Sequence, residues 1–199
     1  MKKLILILII SFMMISTVSA VDSSNWKTVA IEGHSFKIPP KYDGGELKAH
    51  SYTIGNWNNF EIACVDSYIT SNYGYVASQQ LVGDDLTING HPARYFCSYN
   101  KYEKTDLSRI YFPVGKSIYY VSWQSSNLSE DVNEIVASSE PSQISEEIFY
   151  EILDQALQDY KNEESLEKTY VPQQTYSKSN HHNYLNYYIF YKIGQHSRY

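Results

Sequence analysis

Cationic residues are in the minority in this 199-residue chain, with 16 Lys and Arg against 22 Asp and Glu and a formal charge of −6. A nucleic-acid binder needs a basic patch to neutralise phosphates, so no nucleic-acid partner is expected. Cysteine is rarer still: Cys64 and Cys97 are the only two, enough for one bridge and no more. The G-x-S-x-G, H-E-x-x-H, P-loop and glycine-rich dinucleotide patterns are all missing, so no motif announces catalysis or a cofactor. What the chain does have is length for one domain, able to bury a single core without metal or many disulfides.

The N-terminus carries Lys2-Lys3, an apolar run from Leu4 to Ile15 and then Val18-Ser19-Ala20. A basic start, a short apolar core and a small-x-small end mark a secretory signal peptide over residues 1–20, with the mature chain beginning at Val21. A membrane anchor would need about 20 apolar residues, more than this run holds. The expected localisation is therefore secreted or cell-surface (extracellular), with no stable membrane span after cleavage. In an exported chain Cys64 and Cys97 can form a disulfide, or they can pack as two buried thiols; the sequence leaves both open.

Leu86 to Trp123 is the stretch the rest is built around. Asn89-Gly90 suits a tight hairpin turn, which needs two positive φ angles. Three runs rich in aromatic and β-branched residues follow, Arg94 to Tyr99, Leu107 to Phe112 and Ser117 to Trp123. With turns at 100–106 and at Pro113 to Lys116 they make an antiparallel meander. Upstream, Trp26 to Ile38 reads as a hairpin turning at Glu32 to Ser35 and stopped by Pro39-Pro40, and Phe60 to Ile69 as another strand. Val76 to Val82 suits one or two helical turns ending at Gly83.

Downstream the period changes to that of a helix. Leu128, Val132, Ile135 and Val136 share one face, with Asn127 and Glu130 as a capping box. Ile144, Ile148, Phe149, Ile152, Leu153, Ala156, Leu157 and Tyr160 form a longer stripe, capped by Ser142 or Ser145, which must bury itself against the sheet. The expected fold class is α+β over residues 21–160. From Lys161 to Tyr199 the composition turns to Tyr, Asn, His, Ser and Lys with few aliphatic residues, read as a flexible, disordered Tyr-rich C-terminal tail. The charge divides in the same place: residues 21–160 hold 9 Lys and Arg against 19 Asp and Glu, and residues 161–199 hold 5 against 3. Such a tail could contact an acidic surface.

The order of features resembles a family. An export signal is followed by a hairpin ending in Phe36, Ile38 and Pro39, then by Leu86-Thr87-Ile88-Asn89-Gly90 and a strand ending at Tyr111-Phe112. Gly115 to Tyr120 and a helix ending in Ile135-Val136-Ala137-Ser138-Ser139 complete the order. Together these resemble small exported domains of methanogenic archaea and, through them, the PsbP/Mog1-like α/β sandwich, over residues 26–160. The resemblance implies an antiparallel sheet backed by helices and a role in interaction rather than chemistry; it transfers no partner-binding residue to this chain.

Candidate chemistry is sparse. His91 precedes Cys97 by six residues, a weak basis for a thiol nucleophile. Asp84-Asp85 offers two carboxylates to a cation, but no loop has the oxygen spacing of a calcium site. His181, His182 and His196 could hold zinc or copper weakly, against the entropy of ordering a tail. Asn127-Leu128-Ser129 is the one N-glycosylation sequon. The favoured function is a non-enzymatic interaction module whose partner is an envelope polymer or a protein. The alternatives are an extracellular enzyme or accessory domain acting on cell-wall or peptide substrates, and a small-ligand or metal-binding protein.

Overall fold

The nine strands found among the described residues are all paired antiparallel, as the alternating aromatic and β-branched runs require. The computed structural model describes residues 21–55, 59–79, 83–101 and 104–169, the last three without their side chains. The chain divides into two units, residues 1–164 and 165–199; the strands and the apolar core belong to the first. The expected signal peptide at residues 1–20 and the tail histidines His181, His182 and His196 lie outside the described residues.

Strands β1 (Lys27–Ile31) and β2 (His34–Ile38) form the expected first hairpin as a small sheet of their own. Its turn sits on Glu32 and Gly33, both at positive φ. The remaining strands are β3 (Glu46–Leu47), β4 (Ser51–Ile54), β5 (Phe60–Cys64), β6 (Asp84–Ile88), β7 (His91–Asn100), β8 (Thr105–Val114) and β9 (Ser117–Gln124). They make one seven-stranded sheet in the order β3-β4-β5-β9-β8-β7-β6. The meander is therefore β6 to β9, with Asn89 and Gly90 at φ 48° and 85° in its first turn, and β9 is the centre of the sheet. Pro113, expected in a turn, lies inside β8. It is tolerated because the β7–β8 ladder ends at the pair Arg94 and Tyr111, two residues earlier.

Alternation along β9 sends its side chains to two cores. Tyr119, Val121 and Trp123 face one side, where the β1–β2 hairpin (Val29, Ile31, Phe36, Ile38) and helix α2 (Glu130–Ala137; Val132, Ile135, Val136) cover them. Ile118 and Tyr120 face the other, under Phe149, Leu153 and Ala156 of helix α3 (Glu146–Thr169) and the segment that carries Tyr73. Each sheet face thus receives a separate apolar cover, the α+β arrangement expected of the pattern.

The helices depart from expectation at their ends. Helix α2 is capped by Ser129, whose Oγ accepts from Val132 N at 3.3 Å, and not by Asn127. Asn127 is held in the preceding turn, where its carbonyl accepts from Trp123 Nε1 and its N–H donates to Ser125 Oγ. Ser145 caps α3 as expected, Ile148 N donating to its Oγ. The buried stripe of α3 is narrower than the apolar one: Ile148 is 50% exposed. The helix also does not stop at Tyr160, where the tail was expected to begin, but continues to Thr169. Gln155 bonded to Asp159 and Gln158 bonded to Asn162 brace it at i, i+4 spacing.

The helical stretch expected at 76–82 begins earlier, as a wide turn over Thr70–Gly74 that runs into α1 (Tyr75–Ser78). Gly74 is where it meets α3. A Cβ there would stand 2.5 Å from Tyr160 Cβ and 2.9 Å from the Ala156 carbonyl oxygen, which a backbone cannot yield. Gly74→Ala should therefore cost about 1–3 kcal/mol in a denaturant titration; a change under about 0.5 kcal/mol would show that the two elements separate freely.

Candidate functional site

Two arginines project from the α3-facing side of the sheet, Arg94 on β7 and Arg109 on β8, diagonal to each other across the pairs Arg94–Tyr111 and Phe96–Arg109. Both are set in tyrosine. Arg94 Cζ lies 4.9 Å from the ring centre of Tyr150, and its Nη1 donates to Tyr73 Oη at 2.8 Å. Arg109 Cζ lies 4.8 Å from the ring centre of Tyr120, and its Nη1 donates to Tyr111 Oη at 3.4 Å. Cation–π contact of this kind offsets part of the cost of taking the charge out of water.

They differ in the other edge of the guanidinium. The Nε and Nη2 of Arg94 hold both oxygens of Asp85, at 2.7 and 3.1 Å, and Nη1 also reaches Asp154 at 2.7 Å. Asp85 is thus an exposed strand residue paired with Arg94, and not a turn residue or a vacant cation ligand. The Nε of Arg109 is buried and has no hydrogen-bond partner, and among the described residues its Nη2 donates to nothing. A buried N–H left unpaired costs about 1–3 kcal/mol, so it calls for a reason.

The surroundings of Arg109 form a polar strip across four strands, Thr53–Glu61–Ser122–Arg109 in register. Ser122 is fully buried. Glu61 accepts from Tyr120 Oη and, at 3.3 Å, from Thr53 Oγ1. Tyr111 Oη donates to Asn72 Oδ1 at 2.7 Å. Burial first, then the Glu61 carboxylate, pushes the hydroxyls of Tyr120 and Tyr68 above the ordinary tyrosine range; burial does the same for Tyr111. These tyrosines remain neutral donors and leave Arg109 as the strip's cation. Such an arrangement can receive an anion; it has no activated nucleophile.

The residues singled out from the sequence lie elsewhere. Cys64 on β5 and Cys97 on β7 are free thiols, not a bridge. Strands β9 and β8 stand between them, so at about 4.8 Å per strand they are at least about 14 Å apart, against the roughly 7 Å a disulfide allows between Cα atoms. Burial raises the Cys64 thiol above its ordinary value, which slows alkylation. Non-reducing mass spectrometry of the native protein should find Cys97 modified first and Cys64 only on unfolding; a cross-linked peptide pair would contradict this structure. His91 is buried with Nδ1 3.3 Å from the Pro113 carbonyl, and six residues of strand, about 20 Å, hold it away from Cys97. Asn127 is exposed, so the sequon is accessible. Among the described residues no group of three His, Cys, Asp or Glu is placed to hold a metal ion, and no helix is long and apolar enough to cross a membrane. Comparison with protein-family models, with curated proteins and with solved structures gives no match.

Proposed function

We propose that this chain is an exported, non-enzymatic binding module that works outside the cell or at its surface, with an envelope polymer or a protein as its partner. The observation that carries the reading is the Arg109 guanidinium, half-buried among tyrosines with one edge unused. A charge held that way costs stability, and recognition of an anionic group is a return for it. The signal-like N-terminus supports export, and the antiparallel sheet with a cover on each face supports the finer assignment to a PsbP/Mog1-like sandwich of archaeal exported type.

The test is capture of partners from an envelope extract by the mature chain from Val21, compared with Arg109→Gln and with a chain ending at Thr169. The cut belongs at Thr169 because Tyr160 is inside α3. Selective capture that Arg109→Gln loses is the expected result. Equal capture by both chains would remove Arg109 from the function, and a cellular protein retaining Met1 would remove export. Loss only on cutting at Thr169 would place binding in the Tyr-rich tail instead.

A further inference from the structure

We propose that the unused edge of Arg109 receives a carboxylate on a slim arm, an acidic side chain or a free chain end of a peptide. This rests on the reading of Arg109 as the binding position and names what it binds. The protein supplies its own template. At Arg94 a tyrosine ring lies under the guanidinium at 4.9 Å, Nη1 goes to a tyrosine hydroxyl, and Nε with Nη2 grips Asp85 through both oxygens. At Arg109 the ring at 4.8 Å and the tyrosine hydroxyl on Nη1 are repeated, and the carboxylate is not. The Nε–Nη2 edge is a planar two-donor fork matched to the two oxygens of a carboxylate.

The neighbours narrow the ligand further. Glu61, hydrogen-bonded to Tyr120 and Thr53, already puts one negative charge in the strip, so a bound carboxylate adds a single further charge where a phosphate dianion adds two, at a greater cost of repulsion. Nε itself is shut off from solvent in the unliganded chain, so a ligand reaches it only as the side chains over it part. A carboxylate at the end of a methylene or of a peptide needs a smaller opening than one fixed directly to a sugar ring.

The experiment observes the arginine Nε–H signals of the ¹⁵N-labelled mature chain, with the Arg109 signal identified by its loss in Arg109→Lys. Four probes are titrated to millimolar concentration: N-acetyl-Gly-Asp-Gly-amide, N-acetyl-Gly-Gly with a free carboxyl end, an oligo-uronate and inorganic phosphate. The amide of the second peptide is the control. The expected result is a saturable shift of the Arg109 signal with one or both peptide acids, and none with the amide. The two peptides distinguish side chain from chain end. Arg109→Lys, followed through its backbone amide signals, should weaken that binding about tenfold or more, because an ammonium keeps the charge but loses the two-donor fork. Should that variant not fold, the wild-type titration alone decides, its signal assigned by through-bond experiments. No saturable shift with either peptide overturns the proposal, as do equal shifts with phosphate or oligo-uronate. A shift of the Arg109 signal on removing residues 170–199 would show that the chain fills its own site, and overturns it too. Partner capture that needs Arg109 while both peptides fail would retain the binding module and reject the carboxylate.

Discussion

Replacing Leu153 by alanine should lower the unfolding free energy by about 2–5 kcal/mol, whereas Asp154→Ala, one residue on, should cost no more than about 1 kcal/mol. Leu153 is fully buried between Phe149 and Ala156 on the face that α3 turns to Tyr111, Ile118 and Tyr120. Its removal takes apolar contacts away and leaves a cavity that two rigid elements cannot close. Asp154 is 67% exposed and accepts from Arg94, but Arg94 keeps its two bonds to Asp85. Solvent screening keeps such a pair weak. Denaturant titration of the two variants with an unchanged slope is the measurement. Similar losses at both would mean that the polar tie of α3 to the sheet matters as much as its apolar seat.

Much of this fold was legible because its signals are local. Asn89-Gly90 could hardly be anything but a tight turn, and the alternation in Ser117 to Trp123 divides between the two sheet faces as written. Ser145 and the stripe around Leu153 identify α3. What was not legible depends on neighbours. Asn127 has a good capping side chain but is held in the preceding turn by Trp123, so Ser129 takes the role. Gly74 is an ordinary residue in sequence; only the approach of Ala156 and Tyr160 makes its missing Cβ necessary. Pro113 reads as a turn until the short reach of the β7–β8 ladder is known.

The candidate site was almost invisible beforehand. Arg109 stands in Leu107 to Phe112, a strand run in which one arginine reads as an outward-facing residue on an alternating pattern. The available hint was that its neighbours two places along the strand, Leu107 and Tyr111, are not polar, so the face was not a solvated one. That hint cannot be turned into a site without strand order, because Glu61, Ser122 and Arg109 are brought into one row by β9 lying between β5 and β8. The cysteines show the same limit in reverse. Two β-like runs in an exported chain leave a bridge open, and only the strand order places them with two strands between.

Raising the pH above about 10 should unfold this protein cooperatively, with tyrosine ionisation and loss of structure occurring together. Tyr68, Tyr73, Tyr111, Tyr119 and Tyr120 are all held above the ordinary tyrosine value, burial being the first cause in each. Two of their hydroxyls also tie elements together: Tyr119 donates to the Ile31 carbonyl at 3.0 Å, fixing the first hairpin to the sheet, and Tyr120 donates to Glu61. An unfolded chain releases these protons near pH 10, and the folded chain keeps them to higher pH. Stability from these groups is therefore fully present below the unfolded value and is lost as pH rises through the folded ones. Above both, each unit of difference at each tyrosine subtracts about 1.4 kcal/mol. Five such groups are enough to consume a typical total of about 5–15 kcal/mol. Phenolate absorbance and near-ultraviolet circular dichroism should be followed together from about pH 8 to 13. A step in absorbance above about pH 10 should coincide with the loss of dichroism. A single smooth titration near pH 10 with the dichroism intact would mean that these five hydroxyls are open to water, and the tyrosine frame around Arg109 would fall with them.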